Sequence, residues 1–205
     1  MENNNQELVR SIAHKANEIY TDGGVISKNP SLIGGTWAFC LVNCNENFER
    51  TQIIGMSGFV PVVNNPFTNN WSESIAICLA FESLPEKWSG TIFSDSACAL
   101  GRAFLNWRIN NLPKIIHIRT LAALERLGEI KYRLVQGHPN KKELNHEFGT
   151  DEEYKLPLGR KETNPYHEEV FGGKRVVSIH NVWCDKECKK ESDKKVQVNV
   201  QENEI

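Results

Sequence analysis

The stretch "EIYTDGG" at residues 18–24 decides the fold, because β-forming residues run directly into an aspartate and two glycines. We predict a strand over 18–22 that ends at Asp22. Two further β-rich runs follow it, "GGTWAFCLVN" at 34–43 and "TQIIGMSGFV" at 51–60, with polar turn residues between them. Three successive strands with short connections predict an antiparallel meander that begins with the strand of Asp22.

After the meander the chain alternates between helix and strand. Residues 69–85, "NNWSESIAICLAFESLP", begin with an Asn pair, continue with an apolar body and end at a proline, which predicts a largely buried helix. The further predicted elements are a strand at 90–95, a helix from Ser96, a helix between Pro113 and Gly128, a strand at 130–137 and a helix at 181–190. This order predicts an α/β layer fold with a mixed five-stranded sheet.

Three segments lie outside this pattern. Residues 1–17 form an Asn-rich N-terminal extension that we expect to be frayed or helical, and residues 191–205 form a polar C-terminal tail. Residues 139–179 are rich in charge, glycine and proline and poor in periodic apolar residues. We therefore predict one domain over 18–190, interrupted at 139–179 by a long loop of the kind that is usually functional or mobile.

The composition is that of a soluble globular domain, with 205 residues of which 40% are hydrophobic and 24% charged. No apolar run approaches the roughly 20 residues needed to cross a bilayer. The polar N-terminus also lacks the apolar core of a secretory signal. We therefore expect a cytoplasmic protein with no membrane attachment, in which the six cysteines are reduced thiols.

Charge is unevenly distributed along the chain, although the net charge is only −2. Between Arg102 and Arg133 seven basic residues stand against two acidic ones, Glu125 and Glu129, so this window carries +5. A basic stretch of this kind can follow the phosphates of a nucleic acid. It can equally be a normally solvated helix face, and the sequence alone leaves both interpretations open.

Three acidic residues fall at the ends of predicted elements. Asp22 ends the first strand, Glu73 lies in the first turns of the long helix, and Asp95 ends the fourth strand. In a layered α/β fold such positions can converge on one cleft, where uncompensated carboxylates repel each other unless a cation lies between them. Hard oxygen ligands favour Mg²⁺ or Mn²⁺ over zinc. Two such ions at a phosphodiester can activate water and stabilise the leaving oxygen.

Several ordered motifs make this convergence specific: "IYTDGG…NP…GG" at 19–35, "TNNWSE" at 68–73, "FSDS" at 93–96 and "VQGH" at 135–138. In this order they resemble type 1 ribonuclease H, over roughly residues 18–138 and 180–190. The resemblance implies a ribonuclease H-like fold with Asp22, Glu73 and Asp95 as metal-binding carboxylates. It also implies an endonuclease that uses two Mg²⁺ ions, or Mn²⁺ as a substitute. Such an enzyme cuts the RNA strand of RNA–DNA hybrids and leaves 3′-hydroxyl and 5′-phosphate ends.

The family has a fourth acid on its last helix, in the pattern Asn, two residues, Cys, Asp. Here that pattern is Asn181 to Asp185, within "HNVWCDKEC" at 180–188. Asp185 follows His138 by 47 positions, an extended loop that is similar to phage-type or environmental members of the family. Asp151 is only 13 positions from His138, but its surroundings, "GTDEEYK", read as a solvated acidic loop. We predict that Asp185, on a helix, is the fourth metal ligand.

The resemblance also implies the residues that contact the substrate. His138 would be a mobile residue for proton transfer or product release, against the alternative of a solvated histidine. The implied substrate-binding residues are Gly23 and Gly24, through close backbone approach, Asn69 and Asn70, at the minor groove with its 2′-hydroxyls, and Asn29 and Ser96, through polar contacts. The Asn pair can also simply cap its helix. We expect a monomer whose partner is an RNA–DNA hybrid, and no protein partner is indicated.

Other interpretations remain at this point. The same fold and metals can serve a resolvase-like nuclease of DNA structures, or a nucleic-acid-binding module without catalysis. Two cysteine pairs with a spacing of four, Cys40 with Cys44 and Cys184 with Cys188, give a weak zinc signal, and we favour buried hydrophobic roles for them. Trp37 and Trp183 are expected in the core. The basic protrusion of the larger bacterial enzymes is missing after the Asp95 helix, which predicts weaker affinity or reliance on a partner.

Overall fold

The computed structural model describes residues 9–62, 67–109, 112–139, 155–157 and 174–202. Residues 9–13 are helical. The elements that follow are β1 (Glu18–Val25), β2 (Gly34–Cys44), β3 (Arg50–Pro61), α1 (Asn69–Glu82), β4 (Gly90–Ser94), α2 (Ala97–Phe104), α3 (Lys114–Arg126), β5 (Ile130–Leu134), β6 (Lys155–Pro157), β7 (Lys174–Val176) and α4 (Ile179–Glu202). None of the described helices is long and apolar enough to cross a membrane.

The main sheet has five strands in the order β3-β2-β1-β4-β5. β1 pairs antiparallel with β2, and β2 pairs antiparallel with β3, as the predicted meander requires. β4 and β5 continue the sheet in parallel with β1. The prediction of a mixed five-stranded sheet is therefore confirmed, and β1, which carries Asp22, is the central strand.

Alternation along the strands divides the buried residues between two faces of the sheet, because successive side chains point to opposite sides. Ile19, Phe39 and Ile92 belong to the larger core, which α1, α2 and α3 complete. Their neighbours in sequence, Tyr20 and Phe93, belong to a smaller core on the other face, where α4 packs. The candidate catalytic residues lie where these layers meet, at the end of the sheet at which β4 terminates.

Of the cysteines and tryptophans that the sequence placed in the core, Cys40, Cys184 and Cys188 are buried, whereas Cys44, Trp37 and Trp183 are half-buried. Cys40 and Cys184 are fully buried, with their sulfur atoms 3.9 Å apart, and Cys188 is also buried. The Trp183 ring covers Gly55, where an added Cβ would lie 2.1 Å from the ring. Trp37 stacks on a neighbouring ring in β2 with centroids 5.9 Å apart. The described cysteines join no cluster of three potential metal ligands, so the weak zinc signal is not supported in this part of the chain.

Of the two alternatives predicted for the N-terminal segment, frayed or helical, residues 9–13 adopt the helical one. Val9, Ala13 and Ala16 are buried in the larger core, and the Arg10 guanidinium donates to the Glu82 carbonyl at the end of α1. The apolar spacing of four and three residues along a helical turn explains this burial. Residues 1–8 lie outside the described part of the chain.

The last helix ends at Glu202 and not at residue 190, so the predicted polar tail is largely helical. Ion pairs between residues three apart support it, Lys190 with Glu187 and Lys194 with Glu191. Glu191 also accepts a hydrogen bond of 3.3 Å from the Ser57 hydroxyl of β3. In the predicted insertion, β6 and β7 form a two-stranded antiparallel sheet, and residues 140–154, including Asp151, and 158–173 lie outside the described part of the chain.

Candidate active site

Three carboxylates from three elements meet where β4 ends beside β1. The prediction that the first strand ends at Asp22 is wrong, because β1 continues to Val25 by pairing with β2. Thr21 and Ser94 are paired across these parallel strands, so Asp22 and Asp95 follow at the same level. Glu73 reaches them from the second turn of α1. One oxygen from each of the three carboxylates lies within 4.8 Å of the other two. The structure therefore brings together the first three acids that the sequence singled out.

A close approach between β1 and α1 sets the position of Glu73. A Cβ added at Gly23 would lie 2.3 Å from the Glu73 backbone nitrogen, so a larger residue would push α1 away. The buried Ser72 hydroxyl donates to the Gly24 carbonyl at 2.5 Å and closes the same junction. The glycine pair thus has a packing role that the sequence did not reveal. Its proposed contact with substrate through the backbone remains a separate prediction.

Mutual repulsion in a buried place dominates the electrostatics of this cluster. Burial, followed by the charges of Asp95 and Asp185, raises the pKa of Asp22 well above its usual range. Burial, followed by the charges of Asp22 and Asp95, raises the pKa of Glu73 in the same way. A divalent cation between these oxygens would reverse the effect, because an opposite charge favours the ionised carboxylate.

The donor atoms fit such a cation. Asp22 Oδ1 accepts a 2.8 Å hydrogen bond from the Gly23 amide. Glu73 Oε2 is buried and has no hydrogen-bond partner among the described residues. A buried carboxylate oxygen without a donor is costly unless a metal ion or a proton occupies it. The all-oxygen donor set is the one that Mg²⁺ and Mn²⁺ prefer.

The fourth acid stands at the mouth of the cluster. Asp185, on α4, lines the same cavity as the other three carboxylates, and its side chain is 39% exposed. Its Oδ2 lies 3.4 Å from His138 Nδ1. Asp185 is outside the group of oxygens within 4.8 Å of one another, although its charge acts on Asp22. The structure thus places Asp185 and His138 beside the cluster and beside each other.

The turn after β5 carries His138 into the cavity. His138 adopts a positive φ of 49°, and its side chain is 77% exposed. At Gly137 an added Cβ would lie 2.4 Å from Asp95 Oδ2, so a larger residue would displace this carboxylate. Gly137 therefore packs directly against the Asp95 carboxylate. Its position directly before the histidine was visible in the sequence, but the contact with Asp95 was not.

The cavity has a volume of about 300 Å³, and part of its wall was missed by sequence reasoning. Besides the carboxylates and His138, its lining includes Gly23, Gly24, Asn69, Thr36, Cys188, Lys189 and Ser192. The last three belong to α4, in or just beyond the predicted helix. No pattern of residue types marks them as functional, because their position depends on how α4 docks.

The predicted substrate-binding residues are distributed around the start of α1 and α2. The Asn29 side chain accepts a 3.3 Å hydrogen bond from the Asn69 amide, and the Asn69 side chain donates to Glu73 Oε1 at 3.5 Å. The N-cap of α1 is Thr68, so the alternative in which the Asn pair caps the helix is wrong. Asn70 is exposed and is not among the residues that line the cavity.

Ser96 has a local structural contact. It is the N-cap of α2 and accepts a 3.3 Å hydrogen bond from the Ala99 amide. Of the six predicted substrate-binding residues, Gly23, Gly24 and Asn69 line the cavity.

Two of the seven basic residues in the basic window are bound to the C-terminal end of α1. Arg119 makes two hydrogen bonds to the Glu82 carboxylate, at 2.7 and 2.6 Å. Arg126 donates to the carbonyls of Phe81 and Leu84 at the C-terminal end of α1. These arginines therefore stabilise the end of α1 that is farthest from Glu73. The interpretation as a phosphate-binding stretch loses its two central members.

Comparison with solved structures gives the same fold. The N-terminal RNase H domain of Rv2228c from Mycobacterium tuberculosis, solved as a fusion with maltose-binding protein, matches with a TM-score of 0.53 at 12% identity. The match covers 90% of this chain and 99% of that chain. No protein-family model and no curated protein matches this chain. The likeness shows that the chain has the ribonuclease H-like α/β fold.

Two further matches have lower scores. RNase H1 from the halophilic archaeon Halobacterium salinarum NRC-1 has a TM-score of 0.44 at 17% identity, over 58% of this chain and 83% of that chain. LC11-RNase H1 in complex with an RNA/DNA hybrid has a TM-score of 0.46 at 18% identity, over 61% of this chain and 88% of that chain.

Proposed function

We propose that this chain is a metal-dependent endonuclease that hydrolyses the RNA strand of RNA–DNA hybrids. The observation that carries the proposal is the convergence of Asp22, Glu73 and Asp95 within 4.8 Å on a ribonuclease H-like fold. Asp185 and His138 at the mouth of the same cavity add to it. The products would carry 3′-hydroxyl and 5′-phosphate ends.

Asp22, Glu73, Asp95 and Asp185 would hold two Mg²⁺ ions, for which Mn²⁺ can substitute. When bound, these ions supply an activated water and positive charge at the departing 3′ oxygen. The protein's own contribution is to fix the carboxylates before the substrate arrives. Contact of β1 with α1 at Gly23, and of Gly137 with Asp95, provides this rigidity.

His138 would handle the proton. It is exposed, it stands on a turn, and its Nδ1 faces Asp185 at 3.4 Å. From that place an imidazole can give a proton to the departing oxygen or help the product to leave. Asp185 would orient the ring by accepting from Nδ1, which leaves Nε2 available for substrate.

Strand choice would come from the residues around the start of α1. Asn69 and Asn70 would contact the minor groove, where 2′-hydroxyls distinguish an RNA strand. The backbone of Gly23 and Gly24 would approach the RNA strand, and Asn29 and Ser96 would add polar contacts. The positions of Gly23, Gly24 and Asn69 in the cavity wall support this assignment.

A cleavage assay on an end-labelled hybrid tests the proposal. We expect cleavage of the RNA strand in Mg²⁺ or Mn²⁺ and none in EDTA. Duplex DNA should be inert, and a hybrid with 2′-deoxy positions flanking the cut should resist. Equal cleavage of duplex DNA and hybrid would instead support a resolvase-like nuclease. Binding of the hybrid without cleavage in either metal would support a binding module.

A further inference from the structure

One side of the cavity carries polar groups that the proposed mechanism does not use. Thr36, on β2, is 1% exposed, and its hydroxyl has no hydrogen-bond partner among the described residues. The Thr36 hydroxyl acts on the pKa of the Cys188 thiol, but a thiol is a weak hydrogen-bond partner. Lys189 and Ser192 extend the same wall along α4. This wall therefore offers two hydroxyls and an ammonium group.

The spacing along α4 places these groups next to the proposed reaction centre. Lys189 follows Asp185 by four residues, so both lie on one face of the helix, about 6 Å apart along its axis. Ser192 follows Lys189 by three residues and continues that face. A distance of one helical turn is comparable to the separation of neighbouring phosphates along a nucleic-acid strand.

The charges on α4 leave Lys189 uncompensated. Its neighbours Lys190 and Lys194 are engaged with Glu187 and Glu191, at 2.5 and 2.7 Å. Lys189, the residue directly before Lys190, has no ion pair or hydrogen bond within the described ranges. Glu187 and Glu191 thus neutralise Lys190 and Lys194, whereas Lys189, the lysine that lines the cavity, has no acidic partner among the described residues.

We propose that Lys189, Ser192 and Thr36 form an anion subsite that binds the phosphate next to the scissile one on the cleaved strand. This inference rests on the proposed function. The lysine supplies a point charge, and the two hydroxyls can donate to phosphate oxygens. By holding that phosphate, the subsite fixes the register of the strand over the carboxylates.

Steady-state kinetics of Lys189→Ala against Lys190→Ala tests the subsite. Both variants remove one positive charge from the same helix, but Lys190 makes its ion pair with Glu187, away from the cavity. For Lys189→Ala we expect KM for the hybrid to rise about tenfold, the cost of one charge-assisted hydrogen bond. The slope of log kcat/KM against log salt should fall by about one unit. Lys190→Ala should match the wild type in both quantities.

Neutral phosphates locate the contact. Hybrids carry a methylphosphonate at one RNA position at a time, with a 2′-O-methyl sugar before it, and a 2′-O-methyl phosphodiester hybrid is the reference. Because a sugar without its 2′-hydroxyl beside the cut should itself resist cleavage, the comparison uses the positions at which the reference is still cut. In the wild type, replacement at one position beside the cut should raise KM about tenfold. In Lys189→Ala the same replacement should add nothing, as expected when both changes remove one interaction. Ser192→Ala and Thr36→Val should give smaller losses at the same position.

The outcomes separate this inference from the proposed function. If the wild type does not cut the unmodified hybrid, the proposed function fails. If the wild type cuts but Lys189→Ala and Lys190→Ala behave alike, the subsite is wrong and the nuclease stands. Losses that add independently at every phosphate would also overturn it. The test does not depend on whether Thr36→Val folds, since Lys189 is exposed and Ser192 is half-buried, so that their alanine variants should keep the fold.

Discussion

Glu73 is the residue on which a metal ion would act most strongly. It is 4% exposed, its neighbours are two other carboxylates, and one of its oxygens is buried without a hydrogen-bond partner among the described residues. A carboxylate in this position is stable only as the neutral acid or beside a cation. The residue therefore links two properties that can be measured separately, cleavage and the stability of the metal-free protein.

The proposed metal ligands make the first prediction. Asp22→Asn or Asp95→Asn should reduce cleavage of the hybrid in Mg²⁺ by more than about a hundredfold. Mutation of a residue that only hydrogen-bonds to a metal ligand already lowers activity by up to about that factor. Asparagine keeps the shape of the side chain, so circular dichroism and the melting temperature should show an intact fold. Asp193→Asn, an exposed position on α4, is the matched control. A near wild-type rate in either ligand variant would show that the cluster is misassigned.

The pKa of Glu73 makes the second prediction. Because burial raises this pKa in the folded protein, the folded state binds more protons than the unfolded state between about pH 4.3 and the raised value. Stability of the metal-free protein should therefore fall as pH rises through that window. Glu73→Gln should flatten the dependence and raise the melting temperature at pH 8 in EDTA. Melting temperatures measured from pH 5 to 8 check this. The same dependence of the melting temperature on pH in the variant and the wild type would contradict it.

At the scale of elements, α4 connects the site to the rest of the fold. It carries Asp185 at the mouth of the cavity and Lys189 one turn further. Its C-terminal part runs past β3, where the Lys195 ammonium lies 4.8 Å from the centre of the Phe59 ring. The position of Asp185 therefore depends on how α4 docks on the sheet.

The identity of the fourth ligand makes the third prediction. Asp185→Asn should reduce cleavage strongly in Mg²⁺, with a smaller loss in Mn²⁺, whereas Asp151→Asn should be nearly silent. The reason is that Asp185 lies in the cavity 3.4 Å from His138, and its charge acts on Asp22. Rates of both variants in both metals provide the measurement. The reverse ranking would mean that the insertion completes the site.

Sequence patterns predicted the elements that carry a strong local signal. The β1–β3 meander and α1 were identified because alternation and end signals coincide with burial. The second half of α4 was missed, since "ESDKKVQVNV" has no apolar stripe and depends on ion pairs and on Ser57 of β3. The buried Val9 was hidden by its Asn-rich surroundings. These elements depend on contacts between distant parts of the chain.

The candidate site divides in the same way. Acids at strand ends, and a histidine after a strand, are recognisable as residue types in the sequence. Thr36 and Lys189 are ordinary residue types, and only the packing of α4 on β2 brings them to the cavity. The Asn pair illustrates a local pattern with two meanings, which the start of α1 at Asn69 resolves against capping.

At the scale of the whole molecule, we expect the arginines that hold the end of α1 to contribute to stability and not to binding of nucleic acid. Arg126 makes the fourth prediction, because it satisfies two carbonyls at the end of α1. Arg126→Ala should lower the free energy of unfolding by about 1–2 kcal/mol, without changing the salt dependence of kcat/KM. Arg108→Ala, an exposed arginine in the same basic window, should leave stability unchanged. A reduced salt slope in Arg126→Ala would return the window to the phosphate-binding interpretation.

The two faces of the sheet differ in how firmly their helices are held. Large aliphatic and aromatic residues bury α1, whereas α4 docks mainly through two thiols and a half-buried indole. Native-state hydrogen exchange should therefore find α4 opening before α1, in a partial unfolding that removes Asp185 while Asp22, Glu73 and Asp95 stay in place. Under the proposed function, hybrid and metal would bind across both parts. Their addition should then slow amide exchange in α4 far more than in α1, so that substrate binding would complete the site.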